Sequence, residues 1–544
     1  MNFTVSLDKQ WGFFLLGLVL VLLWGVALLH PVGSGVHRVV DNGDAYLHSW
    51  NLWWVNHAVT SFNDPYRTDF NGYPDTISLT YHQLILPLGI FSIPLFAVGM
   101  YANQVLLFWS YAFLVVGFSG MYCLADRLRA PPLGALVGGL YFVVVPIYWQ
   151  NIPRPDSLSY VLFPWILLAF LWAQRGSVYR MILPVVLTGL VFLLSPYMAA
   201  CIILAWLFVM PVYYLFGFRL RRLVLLVPGA LIVSSFQWGP QVFGNRPNLV
   251  DFRVVEAYGA DVTSWLLPSS KAWWMWGMTP WWKQAWTATE PSLYLGWFAV
   301  GFLIVNYSMF SRIIRRWGLT VSVLFGILSL GPSLRFLGES YLSGFMPYAW
   351  GMYLFDSVRA LRAPLRFGYP LFFLVALGMA YVFPAKGWKR YILGAVIIAE
   401  MLRVPVQVKP LPDPNSLQQV RSEIDRPALV PVPLTDWATE VQYGQTIHKK
   451  KMAMMGLSYG REKLWGRVAQ NPVLHALYQR KPLPEKGWKT LRNQGYGGVL
   501  VHKKMFPERM QPRLEKWRDT LKKKWGKPVI NTGRVILYKF NAPK

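Results

Sequence analysis

Two carboxylates and a histidine lie close together near the start of the chain, in Asp41-Asn-Gly-Asp44-Ala-Tyr-Leu-His48. A carboxylate at the edge of a low-dielectric cavity has its pKa raised toward neutrality, which suits it to take a proton from a hydroxyl or amine nucleophile. Asp44 is the candidate base and Asp41 the nearby alternative. His48 follows Asp44 by four residues, so in a helix the two share a face and the imidazole can orient the acid or touch substrate. The competing structural readings are a helix-capping acid for Asp44 and a packing role for a lone histidine. Asp64 and Asp69 read either as solvated loop acids or as contributors to a divalent metal site, but no spacing here defines one.

A second group is basic. Arg359, Arg362 and Arg366 recur at spacings of three and four, which on a helix converges them on a phosphate or pyrophosphate. Pro364 interrupts that helix, and anchoring to lipid headgroups is the alternative use of the same residues. Arg154 and Asp156 read most simply as a local ion pair. Trp273, Trp274, Trp276, Trp281, Trp282 and Trp286 cluster ahead of Glu290 and Tyr294. Their rings suit either the faces of sugars or, by the commoner use of tryptophan, a membrane interface.

These groups must be positioned by elements of a particular kind. The chain is 54% hydrophobic, 16% aromatic and only 14% charged over 544 residues, and its apolar residues come in long blocks. That much apolar surface belongs in a bilayer. The first block, Trp11 to Leu29, is long enough to span and lacks a clean cleavage site after it, so it reads as a retained signal anchor. Cys123 and Cys201 both fall inside expected spans, so no disulfide or thiolate metal site is expected.

The formal charge of +28 is largely topological. Basic clusters at 126–129, 174–180, 219–222, 312–316 and 386–390 separate the apolar blocks, and the positive-inside rule makes them cytoplasmic. The intervening links are aromatic, proline-rich and mixed in charge. Spans are expected near 11–29, 103–125, 133–149, 157–173, 178–194, 198–217, 222–238, 291–310, 318–335, 367–384 and 389–404, about eleven in all. Pro87, Gly89, Pro94 and Gly99 make the block 83–99 a poor continuous helix, and it reads as a re-entrant or interfacial pair of short helices. The N-terminus is then cytoplasmic. The first external loop (about 31–82), the long external loops (about 239–290 and 336–366) and the C-terminal region lie outside.

The chain therefore divides into a transmembrane domain, 1–405, and a small external α/β domain, 406–544. Strands are expected at 428–434, 497–502 and 535–540. Between the last two, Met510, Leu514, Trp517, Leu521 and Trp525 repeat at helical spacing, as a stripe that packs on a sheet. The lysine runs Lys449–Lys451 and Lys522–Lys524 read as solvated faces or as attraction to anionic headgroups and polyanionic glycans. Nucleic acid is not an expected partner of an external domain.

No Gly-rich phosphate loop, HExxH, paired CxxC or GxSxG occurs, which argues against nucleotide hydrolysis or nucleotide-sugar chemistry encoded by a recognised motif. The run Gly43-Asp44-Ala-Tyr-Leu-His-Ser-Trp50-Asn-Leu-Trp-Trp54, with Asn63-Asp-Pro65 and Asn71-Gly-Tyr-Pro74, resembles the first external loop of bacterial membrane proteins related to the GT-C superfamily of glycosyltransferases. Ser264-Trp-Leu-Leu-Pro268, Glu290-Pro-Ser-Leu-Tyr-Leu-Gly296 and Arg362-Ala-Pro-Leu-Arg366-Phe367 are similar to other stretches of that group.

The resemblance implies a polytopic GT-C-like fold and an inverting enzyme of the bacterial cytoplasmic (inner) membrane. Such an enzyme moves a sugar from a polyprenyl-phosphate carrier to a glycan, lipid or protein acceptor on the external face. It also implies an acid in the first external loop as general base, matched best by Asp44, and polar substrate-binding residues among His48, Arg154, Asp156, Glu290, Arg359, Arg362 and Arg366. No cofactor is expected, and a divalent metal stands only as an open alternative. The rival functions are a transporter or flippase of lipid-linked glycans, against which the lack of an internal repeat counts modestly, and a non-catalytic envelope-assembly protein.

Overall fold

The computed structural model describes residues 7–33, 38–40, 43–80, 82–174, 177–215, 220–243, 250–269, 271–275, 292–359, 361–411, 414–434, 439–453, 466, 468–506 and 508–540. The chain forms two compact units, one of residues 1–30 and 108–406, the other of 31–107 and 407–544.

The first unit is helical. Among the described residues five helices are long and apolar enough to cross a membrane: Gln10–His30, Ala102–Arg127, Pro132–Gln150, Pro155–Ala173 and Pro364–Val382. Shorter apolar helices cover Val178–Leu194, Pro196–Leu207 and Val224–Ser235. The expected spans 291–310 and 389–404 fall on shorter helices still, Trp297–Val305 and Lys389–Met401. The expected span 318–335 falls in part on the helix Arg312–Leu330, which ends earlier and starts earlier, because the Ser311 hydroxyl accepts the Ile314 N–H as an N-cap. The basic cluster 312–316 is thus the first turn of that helix rather than a loop.

Prolines set many of the helix starts, where a missing N–H costs nothing. Pro146 also splits the third span: Val145 before it is extended, and a new helix begins at Pro146. Packing in this unit is close. A Cβ on Gly134 would stand 2.4 Å from the Ala380 carbonyl oxygen, so the 132–144 and 369–382 helices touch backbone to backbone. Small residues allow this approach, and between helices in lipid such packing is a main source of association.

The second unit is mixed α/β. Its five-stranded sheet has the order Ile530–Asn531, Val535–Lys539, Tyr496–His502, Ala428–Val432, Lys451–Met452. The fully buried central strand Tyr496–His502 runs antiparallel to Val535–Lys539 and parallel to Ala428–Val432. All three strands expected from the sequence are present. The Gln511–Trp525 helix buries Leu514, Trp517 and Leu521, as its stripe predicts. The segment 83–99 forms two short helices, Leu86–Phe91 and Ile93–Ala97. The Gly43–Thr60 helix packs against the Thr439–His448 helix, through Tyr46 on Tyr443 and a Trp50 indole N–H donated to Gln445 at 3.0 Å.

Candidate functional site

Asp44 is the second residue of the Gly43–Thr60 helix and is half-buried. It lies inside the first turn rather than at the cap, where the exposed N–H groups of the helix favour a carboxylate. His48 follows one turn later and is buried. The helix therefore realises the shared face that the spacing predicts. Asn51 continues the polar row: its amide oxygen lies 2.8 Å from His82 Nε2, and its NH2 donates to the Gln83 carbonyl at 2.9 Å. Burial, with a smaller contribution from His48, pushes the His82 imidazole down to about 3, so it is neutral at physiological pH. The sequence contains no local signal for His82, because Asn51 and His82 meet only in the folded chain. Asp41 lies outside the described residues.

In the other unit, Asp156 sits in the first turn of the short Pro155–Leu158 helix and is 1% exposed. Its ion pair runs to Arg366, from Nη1 to Oδ2 at 3.1 Å, across 210 positions of sequence. The Arg366 guanidinium also lies 4.7 Å from the Tyr197 ring centroid, and the Tyr197 hydroxyl accepts the Ala363 N–H. Arg154 is the half-buried residue preceding that short helix.

The spacing of Arg359, Arg362 and Arg366 is not realised on one helical face. Arg359 ends the Asp356–Arg359 turn, Arg362 lies in an irregular link, and Arg366 belongs to the 3-10 helix Pro364–Gly368. Pro364 is the reason, since it disfavours helix in the residue before it. Arg362 is exposed over the Tyr258 ring at 5.7 Å, and among the described residues the buried Arg359 Nε has no hydrogen-bond partner.

Glu290 and Trp276, Trp281, Trp282 and Trp286 lie outside the described residues. Trp273 and Trp274 donate their indole N–H groups to the carbonyls of Ala399 and Glu400. Tyr294 meets an acid the sequence does not advertise: its hydroxyl donates to Glu400, which also accepts the N–H groups of Trp297 at 2.8 Å and Phe298 at 3.1 Å. Glu400 thereby caps the Trp297–Val305 helix from a distant segment. Asp64 accepts the Tyr66 N–H in a loop turn, and Asp69 pairs with Lys451. Among the described residues no three His, Cys, Asp or Glu side chains gather closely enough to hold a metal ion.

Among the described residues the helices of spanning length fit a multi-pass membrane protein, and the fold is like that of a solved arabinofuranosyltransferase. The chain superposes on the arabinofuranosyltransferase AftD from mycobacteria with a TM-score of 0.60 at 14% identity, over 99% of this chain and 40% of that one. It thus spans about 40% of the length of that enzyme. The Archaeoglobus fulgidus oligosaccharyltransferase matches at a TM-score of 0.49 and 12% identity, over 93% and 71% of the two chains. ArnT from Cupriavidus metallidurans, solved with undecaprenyl phosphate, matches at 0.43 and 14%, over 97% and 98%. Likeness at the last two levels says nothing further about this chain. No family model matches the sequence, and no curated protein matches it.

Proposed function

We propose that this protein transfers a sugar from a polyprenyl-phosphate carrier to an acceptor on the external face of a bacterial cytoplasmic membrane, with Asp44 as general base. The observation that carries the reading is a half-buried carboxylate in the first turn of the first helix after the N-terminal span, within a fold like that of an arabinofuranosyltransferase.

In the reaction, the acceptor oxygen or nitrogen attacks the anomeric carbon as its proton passes to the Asp44 carboxylate. The bond from that carbon to the phosphate oxygen breaks, and polyprenyl phosphate leaves with the electron pair. A single displacement inverts the anomeric centre. Positioned general bases contribute roughly 10²–10⁴-fold to such steps. His48 orients the carboxylate. Arg366, opposed by Asp156, fixes the loop that carries Arg359 and Arg362.

The distribution of basic clusters supports the sidedness: with 126–129, 174–180, 219–222 and 386–390 inside, Asp44 and residues 406–544 face outward. The α/β region, 406–544, helps bind the acceptor. No step is assigned to a metal.

The test is reconstitution of the purified protein in liposomes with a panel of radiolabelled polyprenyl-phosphate sugars, followed by both transfer to added acceptors and movement of the donor between leaflets. Transfer of label to an acceptor supports the enzyme. Movement between leaflets without transfer replaces it with a flippase.

A further inference from the structure

The run Lys449-Lys450-Lys451 reads in the sequence as a solvated face or as attraction to anionic headgroups and polyanionic glycans, and the structure packs Lys449 and Lys451 against aromatic side chains. Lys449 follows the Thr439–His448 helix with a φ of 58°, in the left-handed region that side chains disfavour. Sparsely populated conformations of this kind gather at functional sites. Its Nζ lies 4.5 Å from the Trp53 ring centroid and donates to the Thr446 carbonyl. Among the described residues it makes no ion pair.

Lys451 pairs with Asp69 and lies 5.8 Å from the Phe70 ring and 5.5 Å from the Tyr73 ring. His57 stacks on Trp53 with centroids 5.3 Å apart and meets Phe70 edge-on at 5.2 Å. Trp53 is buried, whereas His57 and Tyr73 are half-exposed and form the rim.

The electrostatics of this rim are one-sided. Lys449, Lys450, Lys451 and Arg421 face two carboxylates, Asp69 and Asp425. Asp69 is taken by Lys451, and Asp425 is shared with Lys539 at 3.6 Å. Burial and then Arg421 pull the Lys449 amine down to about 7. Burial and then Lys449 hold the His57 imidazole below its ordinary value, against the opposing pull of Asp69. A site in which cations depress one another is completed by an anion, and a bound anion restores the full charge of the amines that hold it.

We propose that Lys449 and Lys451, backed by the rings of His57 and Tyr73, form a binding site for a phosphate group, carried either on a soluble sugar phosphate or on an anionic lipid. The site lies wholly within the second unit and is independent of the role given to Asp44. Lys449 supplies the free charge, Lys451 supplies a second cation fixed by Asp69, and the rings offer a flat wall to the body of the ligand.

The test uses the full chain in nanodiscs of zwitterionic phosphatidylcholine, with radiolabelled glucose 6-phosphate as probe. Saturable binding is expected near pH 6, displaced by inorganic phosphate and not by glucose. It should weaken by at least about tenfold in Lys449→Gln, and by a similar factor in the wild type near pH 9, where Lys449 is neutral. Lys449→Arg keeps its charge and should hold the binding across that range. Asp44→Asn should bind as wild type does, so a failure of sugar transfer leaves this result standing.

Nanodiscs containing phosphatidylglycerol distinguish the source. If the phosphate is a lipid's, that lipid displaces the probe or, where the probe does not bind, is retained in native mass spectra of the wild type and lost in Lys449→Gln. The proposal is overturned if Lys449→Gln holds the probe and the lipid as wild type does, or if neither is held by the wild type.

Discussion

The two units bury polar groups in opposite ways. In the helical unit the buried titratable groups include formal charges placed against partners: Asp156 with Arg366, Glu400 with three donors, and Arg403 stacked 4.2 Å from the Trp149 ring while donating to its carbonyl. In the α/β unit the buried polar groups include neutral imidazoles and amides: His82, His448, His502, Asn51, Gln442 and Gln445. Among apolar helices an ion stays only if an opposite charge or a set of donors is built around it. In a unit built around a sheet, burial can instead remove the charge, and each imidazole is then held neutral. The contrast makes the helical unit sensitive to deletion of a partner and the α/β unit sensitive to acid.

The largest expected effect breaks the first half of the comparison. Asp156→Ala or Arg366→Ala removes one side of a buried ion pair and should cost about 3–5 kcal/mol, seen as a large fall in melting temperature of the detergent-solubilised protein. The double replacement Asp156→Leu with Arg366→Met should restore most of that loss. A single variant as stable as wild type would mean that the pair is dispensable.

Acid tests the other half. His502 is pushed down to about 4 and His82 to about 3 by burial, and His448 lies well below its ordinary value of 6.5. The unfolded chain takes up protons near 6.5 and the folded one does not, so stability is full above that value. It falls as pH drops toward 4 and 3. Each histidine removes at most about 1.4 kcal/mol over the first pH unit below 6.5. Hydrogen exchange should therefore rise with acid in Tyr496–His502 and Thr439–His448 before it rises in Pro132–Val144 or Tyr369–Val382. Equal loss of protection in both units would contradict the account.

A smaller effect sharpens the helical side. Glu400→Ala removes a charged acceptor from the start of the Trp297–Val305 helix and should cost about 2 kcal/mol, with faster exchange confined to that helix.

The apolar runs, the stripe of Leu514, Trp517 and Leu521, and the three strands were legible in the sequence because each is a local periodicity. So was the broken character of 83–99, where prolines and glycines announce two short helices. The helical relation of Asp44 to His48 was legible for the same reason.

What sequence could not convey is pairing at a distance. Asp156 finds Arg366 and Tyr294 finds Glu400 only because helices far apart in the chain pack together. Asn51 meets His82 by folding of the loop between them. The spacing of Arg359, Arg362 and Arg366 offered one face, and the interruption at Pro364, itself legible in the sequence, is what breaks it. The hairpin of Leu334–Phe336 with Glu339–Tyr341, which begins in the end of an expected span and runs into the loop after it, is too short to leave a period.

The measurement that bears most directly on function pairs the transfer rate with the melting temperature for Asp44→Asn. The two side chains are nearly isosteric, and Asp44 lies at the half-buried start of its helix, so melting should change little. Transfer from the polyprenyl-phosphate donor should fall by roughly 10²–10⁴-fold, with donor binding retained. Transfer at the wild-type rate in a folded Asp44→Asn protein would remove Asp44 as the base and with it the mechanism set out above.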